Sequence, residues 1–294
     1  MFVLKDLRQI TVIGLGLLGG SLSLAILRCF PGVRAVGYSH RARTRRKARE
    51  LAVASEVADD IKAGVTGADI VILATPISTF GEIFAVIRDV LPSGCIVTDV
   101  GSTKVLPHLW AAKTLPSVVH YVGSHPIAGS EQRGVEFARD DLFDGATCIL
   151  TGTKKTDKQA VQTLTGFWSK LGCSVKFMTP AEHDRVLANV SHLPHVAAAA
   201  LTNASDAREL KFAGKGFMDT SRIASGPASI WADVLLANAN NTARGIDKIV
   251  AELLKLKRAI KDADRQRIQK LLEAARAKRA ALIKQKIKSK EMIL

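Results

Sequence analysis

The chain has 294 residues, of which 47% are hydrophobic, and this is enough apolar sequence for a sizeable core, most simply divided between two domains. Its 42 lysines and arginines against 27 acidic residues give a formal net charge of +15, which suits an anionic substrate or cofactor, with a nucleic-acid surface as the alternative. The sequence shows no membrane span, targeting peptide or internal repeat, and its four scattered cysteines are typical of buried thiols in a reducing cytosol. We therefore expect a cytoplasmic protein without a membrane partner.

A glycine-rich turn near the start of the chain is the first motif. Gly14, Gly16 and Gly19 form G-x-G-x-x-G between a short apolar run at 10–13 and a segment of helical character at 21–27. A strand that enters a helix through such a turn can bind a pyrophosphate on the free N–H groups of the helix N-terminus. The motif therefore predicts dinucleotide binding, with a glycine turn in an ordinary α/β protein as the alternative. The predicted cofactor contacts here are Gly14, Gly16, Leu17, Leu18 and Gly19.

The end of the second predicted strand, at 33–38, indicates which nucleotide is bound. An NAD-binding unit usually places an acidic residue about 20 residues after the glycines, where it bonds the ribose 2′-hydroxyl. This chain instead has Ser39, followed by His40 and Arg41. Serine and arginine can bond and neutralise a 2′-phosphate that a carboxylate would repel, so the pattern favours NADP over NAD. The alternative is a solvated basic helix start, an interpretation that stays open in any case for Arg45, Arg46 and Arg49.

Apolar runs and helical segments continue to alternate up to about residue 178. Residues 68–74 form a near-continuous apolar run, as in a buried parallel strand, and Thr75-Pro76 ends it. Further strands are predicted at 95–100, 119–122, 147–150 and 174–177, with helices at 80–91 and after the turn at 101–104. Because ligands bind beyond the carboxyl ends of such strands, one cleft is expected to gather Thr75, Ser102 and His125. The cofactor contacts predicted in this part are Ala74, Thr75, Pro76 and Ser102.

The pattern changes after Thr179-Pro180, since no β alternation follows and residues 181–205 and 230–260 are predicted to be helical. The predicted fold is a Rossmann-type α/β domain with a mostly parallel sheet over 1–179, followed by an all-α dimerisation and substrate domain over 180–294. Apolar helix faces that the second domain cannot cover alone predict a homodimer. From about Lys255 the sequence is basic, lacks aromatic residues and contains interspersed acidic ones, which favours a solvated, partly helical tail without a nucleic-acid partner.

Two residues are the first candidates for chemistry. His125 follows a predicted strand in a Gly/Ser/Pro segment that we interpret as a loop, and histidine can accept a proton near neutral pH. The alternative for His125 is a loop histidine that bonds the backbone. Arg222 precedes a Gly-Pro break, and an arginine there can hold a carboxylate with two hydrogen bonds. The alternative for Arg222 is a structural ion pair with Asp219 or Asp233.

The segment Ser191 to His195, SHLPH, opens or interrupts a helix. The spacing of His192 and His195, with His183 upstream, suggests a metal site. No cysteine or carboxylate completes a ligand set at a suitable spacing, so we predict that no metal is bound.

Six segments together resemble the prephenate/arogenate dehydrogenase family of tyrosine biosynthesis. They are GLGLLGGS, ATP at 74–76, DVGSTK at 99–104, GSHPIAGSE at 123–131, MTPAEHDRVLANVSHLPH at 178–195 and DTSRIASGPASIWAD at 219–233. HPIAGSE and SHLPH are specific, whereas many dehydrogenases share the glycine motif. Two departures are Met218, where the family usually has a basic residue, and Lys215, in a stretch usually richer in glycine.

The resemblance implies an NADP-linked oxidative decarboxylation of prephenate to 4-hydroxyphenylpyruvate, or of arogenate to tyrosine. It implies that a neutral His125 accepts the proton of the ring hydroxyl and that Ser102 bonds both this hydroxyl and His125. It also implies that Arg222 binds a substrate carboxylate. The other predicted substrate contacts are His195, Ser191, His192, Ser130, Glu131, Lys215 and Trp231.

Two other classes of protein are the alternatives. The first is another NADP-dependent reductase, of the β-hydroxyacid dehydrogenase or imine reductase type, but these typically use a lysine as the acid/base. The second is a dinucleotide-sensing regulator whose basic tail binds nucleic acid. A regulator would not need Ser102, His125 and Arg222 together.

Overall fold

The computed structural model of the protein describes residues 6–128 and 132–288. Two predicted substrate contacts, Ser130 and Glu131, lie outside the described residues. The chain divides into two compact units, one ending at Ala239 and one beginning at Asn240. The domain boundary predicted at 179/180 falls inside the first unit and stays a prediction.

Six parallel strands form the central sheet of the first unit. They are β1 (Gln9–Ile13), β2 (Arg34–Tyr38), β3 (Glu56–Ala58), β4 (Ile70–Leu73), β5 (Ile96–Asp99) and β6 (His120–Tyr121). Their spatial order, β3-β2-β1-β4-β5-β6, is that of a doubly wound dinucleotide-binding sheet. The predicted parallel α/β fold is confirmed, and β3 is a strand that the sequence patterns did not predict.

Helices cover both faces of this sheet. They are α1 (Leu17–Cys29), α2 (Ala42–Glu50), α3 (Ile61–Val65), α4 (Phe80–Ile87) and α5 (Val105–Thr114). Ile70 and Ile72 of β4 pack into one apolar cluster, whereas Val71 and Leu73 pack into the other. A strand buried on both faces explains the continuous apolar run in the sequence.

A second, three-stranded sheet follows, and it changes the interpretation of the segment that holds His125. It consists of β7 (Gly123–Pro126), antiparallel to β8 (Thr147–Thr151), which is parallel to β9 (Ser174–Met178), with α6 (Lys158–Lys170) between β8 and β9. The predicted loop around His125 is therefore wrong, because His125 pairs with Ile149 inside this sheet. The small polar residues that suggested a loop are satisfied in the core, since the Ser124 hydroxyl bonds Thr98 and the Trp168 indole at 2.7 and 3.1 Å.

The described residues after Met178 contain helices and no strand, which confirms the predicted helical region. The helices are α7 (Pro180–Leu187), a π-helical turn (Ala188–His192), α8 (Leu193–Ala204), α9 (Lys215–Ser221), a 3₁₀ turn (Arg222–Ser225), α10 (Ala228–Ala237), α11 (Ala239–Lys261) and α12 (Arg265–Lys288). The helical stretch predicted at 230–260 is interrupted at Asn238, whose φ and ψ are −125° and 33°. Within the described ranges, every helix falls short of the combined length and hydropathy that crossing a lipid bilayer requires.

Candidate active site

The glycine turn joins β1 to α1 at the carboxyl edge of the sheet. Gly14 has a φ of +103°, and a side chain there would collide with the carbonyl of Ala74. A Cβ at Gly16, in contrast, would meet nothing within 4 Å. Helix α1 begins without a side-chain cap or an acidic residue in its first turn, so its N–H groups can bond an anion. This combination of open space and free donors fits a dinucleotide pyrophosphate.

A groove of about 750 Å³ lies beside this turn. The predicted cofactor residues that line it are Gly14, Gly16, Ser39, His40, Arg41, Ala74, Thr75 and Pro76. Two of the predicted contacts have side chains elsewhere, because Leu17 lines a separate cavity of about 340 Å³ and Leu18 packs against the apolar core. Gly19 is buried against the Gly14 carbonyl, where a side chain would not fit.

The basic segment of α2 divides into two groups. Arg45 and Arg49 lie 3.0 and 2.8 Å from the Asp59 carboxylate, and both also donate to backbone carbonyls. Arg43 and Arg46, in contrast, line the groove. The alternative of a basic helix start without a role in nucleotide binding therefore suits Arg45 and Arg49. Arg46, in contrast, adds positive charge to the groove.

A fully buried ion pair holds the turn after β5. One oxygen of Asp99 contacts the Lys104 ammonium and accepts the Gly101 N–H at 2.7 Å, while its other oxygen accepts the Tyr121 hydroxyl at 2.6 Å. Burial and the adjacent Asp99 raise the pKa of Tyr121 well above its usual value, so the hydroxyl stays a donor. Because both charges are paired and bonded, this cluster fixes the backbone that carries Ser102.

His125 is buried, with 8% of its surface exposed, and begins a chain of hydrogen bonds. Its Nδ1 lies 2.9 Å from Nε2 of His183, and His183 Nδ1 lies 2.8 Å from the Asp184 carboxylate. The same carboxylate accepts the backbone N–H groups of Lys104 and Val105 at 2.7 and 2.9 Å. Asp184 thus caps the first turn of α5 and holds α7, with His183, against it.

These bonds determine which nitrogen of each ring carries the proton. An ionised carboxylate only accepts, so His183 Nδ1 donates to Asp184 and His183 Nε2 is left as an acceptor. His125 Nδ1 then donates to His183, and His125 Nε2 keeps a free lone pair. Burial, and to a smaller extent His183, hold the pKa of His125 well below its usual value. His125 is therefore a neutral imidazole with an acceptor nitrogen, the form that a general base needs.

The two histidines of SHLPH lie beside an indole. The His195 ring stacks on Trp231 with ring centroids 3.6 Å apart, and His192 meets the same indole edge-on at 6.3 Å. A side chain at Gly226 would collide with this indole, which explains the glycine there. Among the described residues, His192 Nε2 and His195 Nδ1 are buried side-chain atoms without a hydrogen-bond partner of ordinary geometry, as is common for groups that bond a ligand or an ordered water.

Helix α10 also brings the substrate-side residues next to the nucleotide groove. Ile230 lines the groove, and its neighbour Trp231 contacts the two histidines. Ser78, in the turn after β4, donates to the Asp233 carboxylate at 2.7 Å. The short helix α10 therefore borders both halves of the candidate site.

The remaining substrate-side candidates lie near the surface. Arg222 begins the 3₁₀ turn between α9 and α10, and its side chain is exposed, while Ser191 is half-buried in the π-helical turn. The Lys215 ammonium lies 3.0 Å from the Asp219 carboxylate, and the Lys215 side chain is 88% exposed. In this structure Lys215 therefore pairs within its own helix.

Comparison with known proteins identifies the family. The family profile "Prephenate dehydrogenase, nucleotide-binding domain" matches residues 22–177, and "Prephenate dehydrogenase, dimerization domain" matches residues 179–274. This chain belongs to the prephenate/arogenate dehydrogenase family. The resemblance found in the sequence is confirmed, and the chain is an NAD(P)-dependent dehydrogenase of this family rather than a regulator or another reductase.

Individual relatives cover nearly the whole chain. The prephenate dehydrogenase of Bacillus subtilis is 35% identical over 289 residues, which are 95% of this chain and 76% of that protein. The structure of Aquifex aeolicus prephenate dehydrogenase in complex with hydroxyphenyl propionate and NAD+ is 31% identical, with a TM-score of 0.88 over 94% of this chain and 99% of the other. Synechocystis arogenate dehydrogenase is 30% identical, with a TM-score of 0.80 over 94% and 100% of the two chains.

Sequence reasoning missed the groups that support His125 in this dehydrogenase. His183 entered only as a metal-ligand candidate, and Asp184 and Lys104 had no assigned role. Among the described residues, no cluster of His, Cys, Asp and Glu has a geometry that would hold a metal ion. The adjacent His-Asp pair at 183–184 was the available signal, but no local pattern indicates which side chain such a pair contacts.

Proposed function

We propose that this enzyme catalyses the NADP-linked oxidative decarboxylation of prephenate to 4-hydroxyphenylpyruvate, or of arogenate to tyrosine. The chain His125–His183–Asp184 carries the proposal, because it holds a neutral base in a buried position. The groove beside Gly16 and the uncapped start of α1 would hold the pyrophosphate of the nucleotide. When bound, the nicotinamide supplies the hydride acceptor.

In this mechanism His125 Nε2 accepts the proton of the ring hydroxyl while the C–H electron pair of the same carbon leaves as hydride. The bond between the ring and its carboxylate breaks, carbon dioxide leaves, and the released electron pair completes the aromatic ring. The ring oxygen then takes the proton back from His125, so the product is a phenol and His125 is neutral again. Ser102, positioned by the Asp99 turn, bonds the hydroxyl and orients it toward His125. Aromatisation supplies much of the driving force, so the enzyme mainly positions groups and accepts the proton.

The other substrate contacts follow from the arrangement around Trp231. Arg222 is proposed to bind the side-chain carboxylate of the substrate, with His195 beside it. Ser191, His192 and Trp231 would line the pocket. Lys215 is proposed as a weaker second cation, since Asp219 already neutralises much of its charge.

Charge in the groove supports NADP over NAD. Ser39, Arg41, Arg43, Arg46 and Lys47 line it, against two acidic residues, Glu50 and Glu136. A 2′-phosphate would be bonded by these groups, whereas an NAD ribose offers them only a neutral hydroxyl. Two charge-assisted hydrogen bonds of about 1.5–3 kcal/mol each correspond to a preference of roughly 10²-fold or more.

The test is to follow formation of the reduced nucleotide with prephenate and with arogenate, each combined with NAD and with NADP. We expect turnover with at least one of the two substrates and a lower KM for NADP. The Aquifex aeolicus relative holds NAD+ in its structure, so both nucleotides belong in the assay. A lower KM for NAD would contradict the proposed preference.

Ser39→Asp combined with Arg41→Ala should reverse the nucleotide preference, because a carboxylate repels the 2′-phosphate and favours the 2′-hydroxyl. The measurement is the ratio of kcat/KM for NADP to that for NAD. Arg88→Ala is the matched control, since it removes one positive charge at the exposed end of α4, away from the groove residues. If both variants keep the parent ratio, Ser39 and Arg41 do not select the nucleotide.

We also propose that the enzyme is a homodimer formed through its helical region. Large apolar side chains are exposed on α10 and α11, including Leu236, Leu253 and Leu254, at 75%, 58% and 56%. Such side chains are commonly covered in an oligomer. Sedimentation velocity at micromolar concentration should show a dimer, and Leu253→Lys with Leu254→Glu should shift it toward monomer. The control Leu109→Glu, at an exposed position of α5, should leave the dimer intact. A monomeric parent would rule the proposal out.

A further inference from the structure

Residues 134–139 form part of the wall of the nucleotide groove, although they are distant in sequence from the glycine turn, and we call this segment the strap. It contains a 3₁₀ turn, Val135–Phe137. Gly134, Val135 and Glu136 line the groove together with the glycine turn and the basic segment at 41–47. The strap therefore brings Glu136 to a groove whose other charged lining residues all lie within 41–50.

Contacts on both sides of Glu136 hold the strap in place. Val135 is 3% exposed and packs in one apolar cluster with Ala48 of α2. On the other side of Glu136, the Arg139 N–H donates to the hydroxyl of Ser21, a fully buried residue of α1, at 3.0 Å. The two helices that border the groove thus determine where the backbone of Glu136 lies.

A glycine gives the Glu136 carboxylate its place. Gly134 has a φ of +102°, and a side chain there would collide with both oxygens of this carboxylate. The carboxylate therefore lies against Gly134, in space that only a glycine leaves open. In the part of the chain that the structure describes, no ion pair or side-chain hydrogen bond joins Glu136 to another residue. Glu136 is thus an unpaired carboxylate at the groove wall.

The other charged residues of the groove are one ion pair and a set of arginines. The Lys47 ammonium lies 3.3 Å from the Glu50 carboxylate, so these two charges largely cancel. The remaining cations have no ion pair within the described ranges, and they are Arg41, Arg43 and Arg46. The field at the groove is therefore set by these arginines against Glu136.

We propose that Glu136 is a nucleotide-selecting residue, whose carboxylate disfavours NADP relative to NAD and so limits the preference that Ser39 and Arg41 create. This inference rests on the nucleotide preference in the proposed function. A 2′-phosphate carries up to two negative charges, which a carboxylate repels. The 2′-hydroxyl of NAD is neutral and can donate a hydrogen bond to a carboxylate. Glu136 thus acts on the two nucleotides in the sense opposite to the arginines.

The expected effect is moderate and depends on salt. Repulsion between a carboxylate and a doubly charged phosphate in a partly solvated groove corresponds to about a 3- to 10-fold change in affinity. The screening length falls from about 10 Å at 0.1 M salt to about 3 Å at 1 M. An effect that arises from charge repulsion across the groove should therefore shrink in concentrated salt.

Glu136→Gln tests the proposal, because it removes the charge and keeps the size of the side chain. The measurement is the Kd of NADP and of NAD for the whole chain by calorimetry, without substrate. In about 0.05 M salt, NADP should bind about 3- to 10-fold more tightly than to the parent, and the NAD affinity should change by less than about 2-fold. In about 0.5 M salt the gain for NADP should fall below about 2-fold.

Further ligands and variants locate the effect. Adenosine 2′,5′-bisphosphate should show the same gain as NADP, whereas AMP should behave as NAD does. Arg46→Gln should shift the NADP to NAD ratio in the opposite direction, because it removes a cation from the groove. Glu82→Gln, at an exposed position in the first turn of α4, is the matched control and should leave both Kd values unchanged.

The outcomes separate this inference from the proposed function. Equal changes for NADP and NAD in Glu136→Gln, no change for either, or a gain for NADP that persists undiminished in about 0.5 M salt would overturn the role of Glu136. A parent that binds NAD more tightly, with the gain for NADP still present in Glu136→Gln, would contradict the proposed preference and support the role of Glu136. Nucleotide binding without turnover of prephenate or arogenate would contradict the proposed reaction, and the Kd values would still decide the role of Glu136.

Discussion

His125→Asn should lower turnover by about 10²–10⁴-fold, the usual effect of removing a general base. Asparagine can still bond His183 but cannot take up the proton of the ring hydroxyl. Nucleotide binding should be unchanged, because His125 lies on β7 and does not line the nucleotide groove. The measurements are kcat from formation of the reduced nucleotide and the nucleotide Kd from calorimetry. His120→Asn, on β6, is the matched control.

The pH dependence gives an independent check on the same residue. In the proposed mechanism the deprotonated form of His125 is the active one, so we expect activity to be lost as the pH falls through the pKa of His125. Since burial holds that pKa well below the usual histidine value, kcat should be level from about pH 6.5 upward and fall only in more acidic solution. The His125→Asn variant should lack this acidic step. Near-normal turnover in the variant would remove His125 from the mechanism.

The fold was predictable where the residues that determine an element are contiguous in the sequence. The glycine turn is recognisable because the strand before it, the spacing of Gly14, Gly16 and Gly19, and the helix after it are contiguous. Strand β4 is recognisable because a strand buried on both faces must be apolar at successive positions. Helix α7 begins where Pro180 follows a threonine whose side chain accepts an N–H of the first turn, another local signal.

The groups that support His125, the proposed base, were not predictable because their contacts join residues distant in the sequence. His125 and His183 are separated by 58 residues, and no local pattern brings them together. The Gly, Ser and Pro residues of β7 favour a loop in the sequence because these residue types usually indicate turns. In the structure Ser124 is satisfied by Thr98 and Trp168, which lie on other elements. Lysine side chains are usually exposed, yet Lys104 is fully buried and pairs with the buried Asp99.

Asp184 connects these long-range contacts into one arrangement. Its carboxylate caps α5 and fixes the proton of His183, which leaves His125 as an acceptor. Its backbone carbonyl fixes the amide of Asn238, which leaves His192 as a donor. His125 and His192 thus have opposite hydrogen-bonding roles because each is linked through one intermediate side chain, His183 or Asn238, to a different atom of Asp184.

Arg222→Ala should raise KM for the substrate by about 30-fold or more, which corresponds to roughly 2–5 kcal/mol for removing one partner of a desolvated charged pair. Arg222 is exposed, so its charge carries little desolvation cost until a substrate carboxylate covers it. The guanidinium can hold that carboxylate through two parallel hydrogen bonds. The effect should be mainly on KM, because this carboxylate takes no part in the bond changes.

Two further variants test this role of Arg222. Arg222→Lys keeps the charge but loses the paired hydrogen bonds, so its KM should lie between those of the parent and Arg222→Ala. Lys215→Ala should raise KM less, because the Lys215 ammonium already pairs with Asp219. Thermal unfolding of each variant separates binding from folding. If Arg222→Ala lowers the melting temperature and leaves KM unchanged, Arg222 stabilises the turn between α9 and α10 and does not bind the substrate.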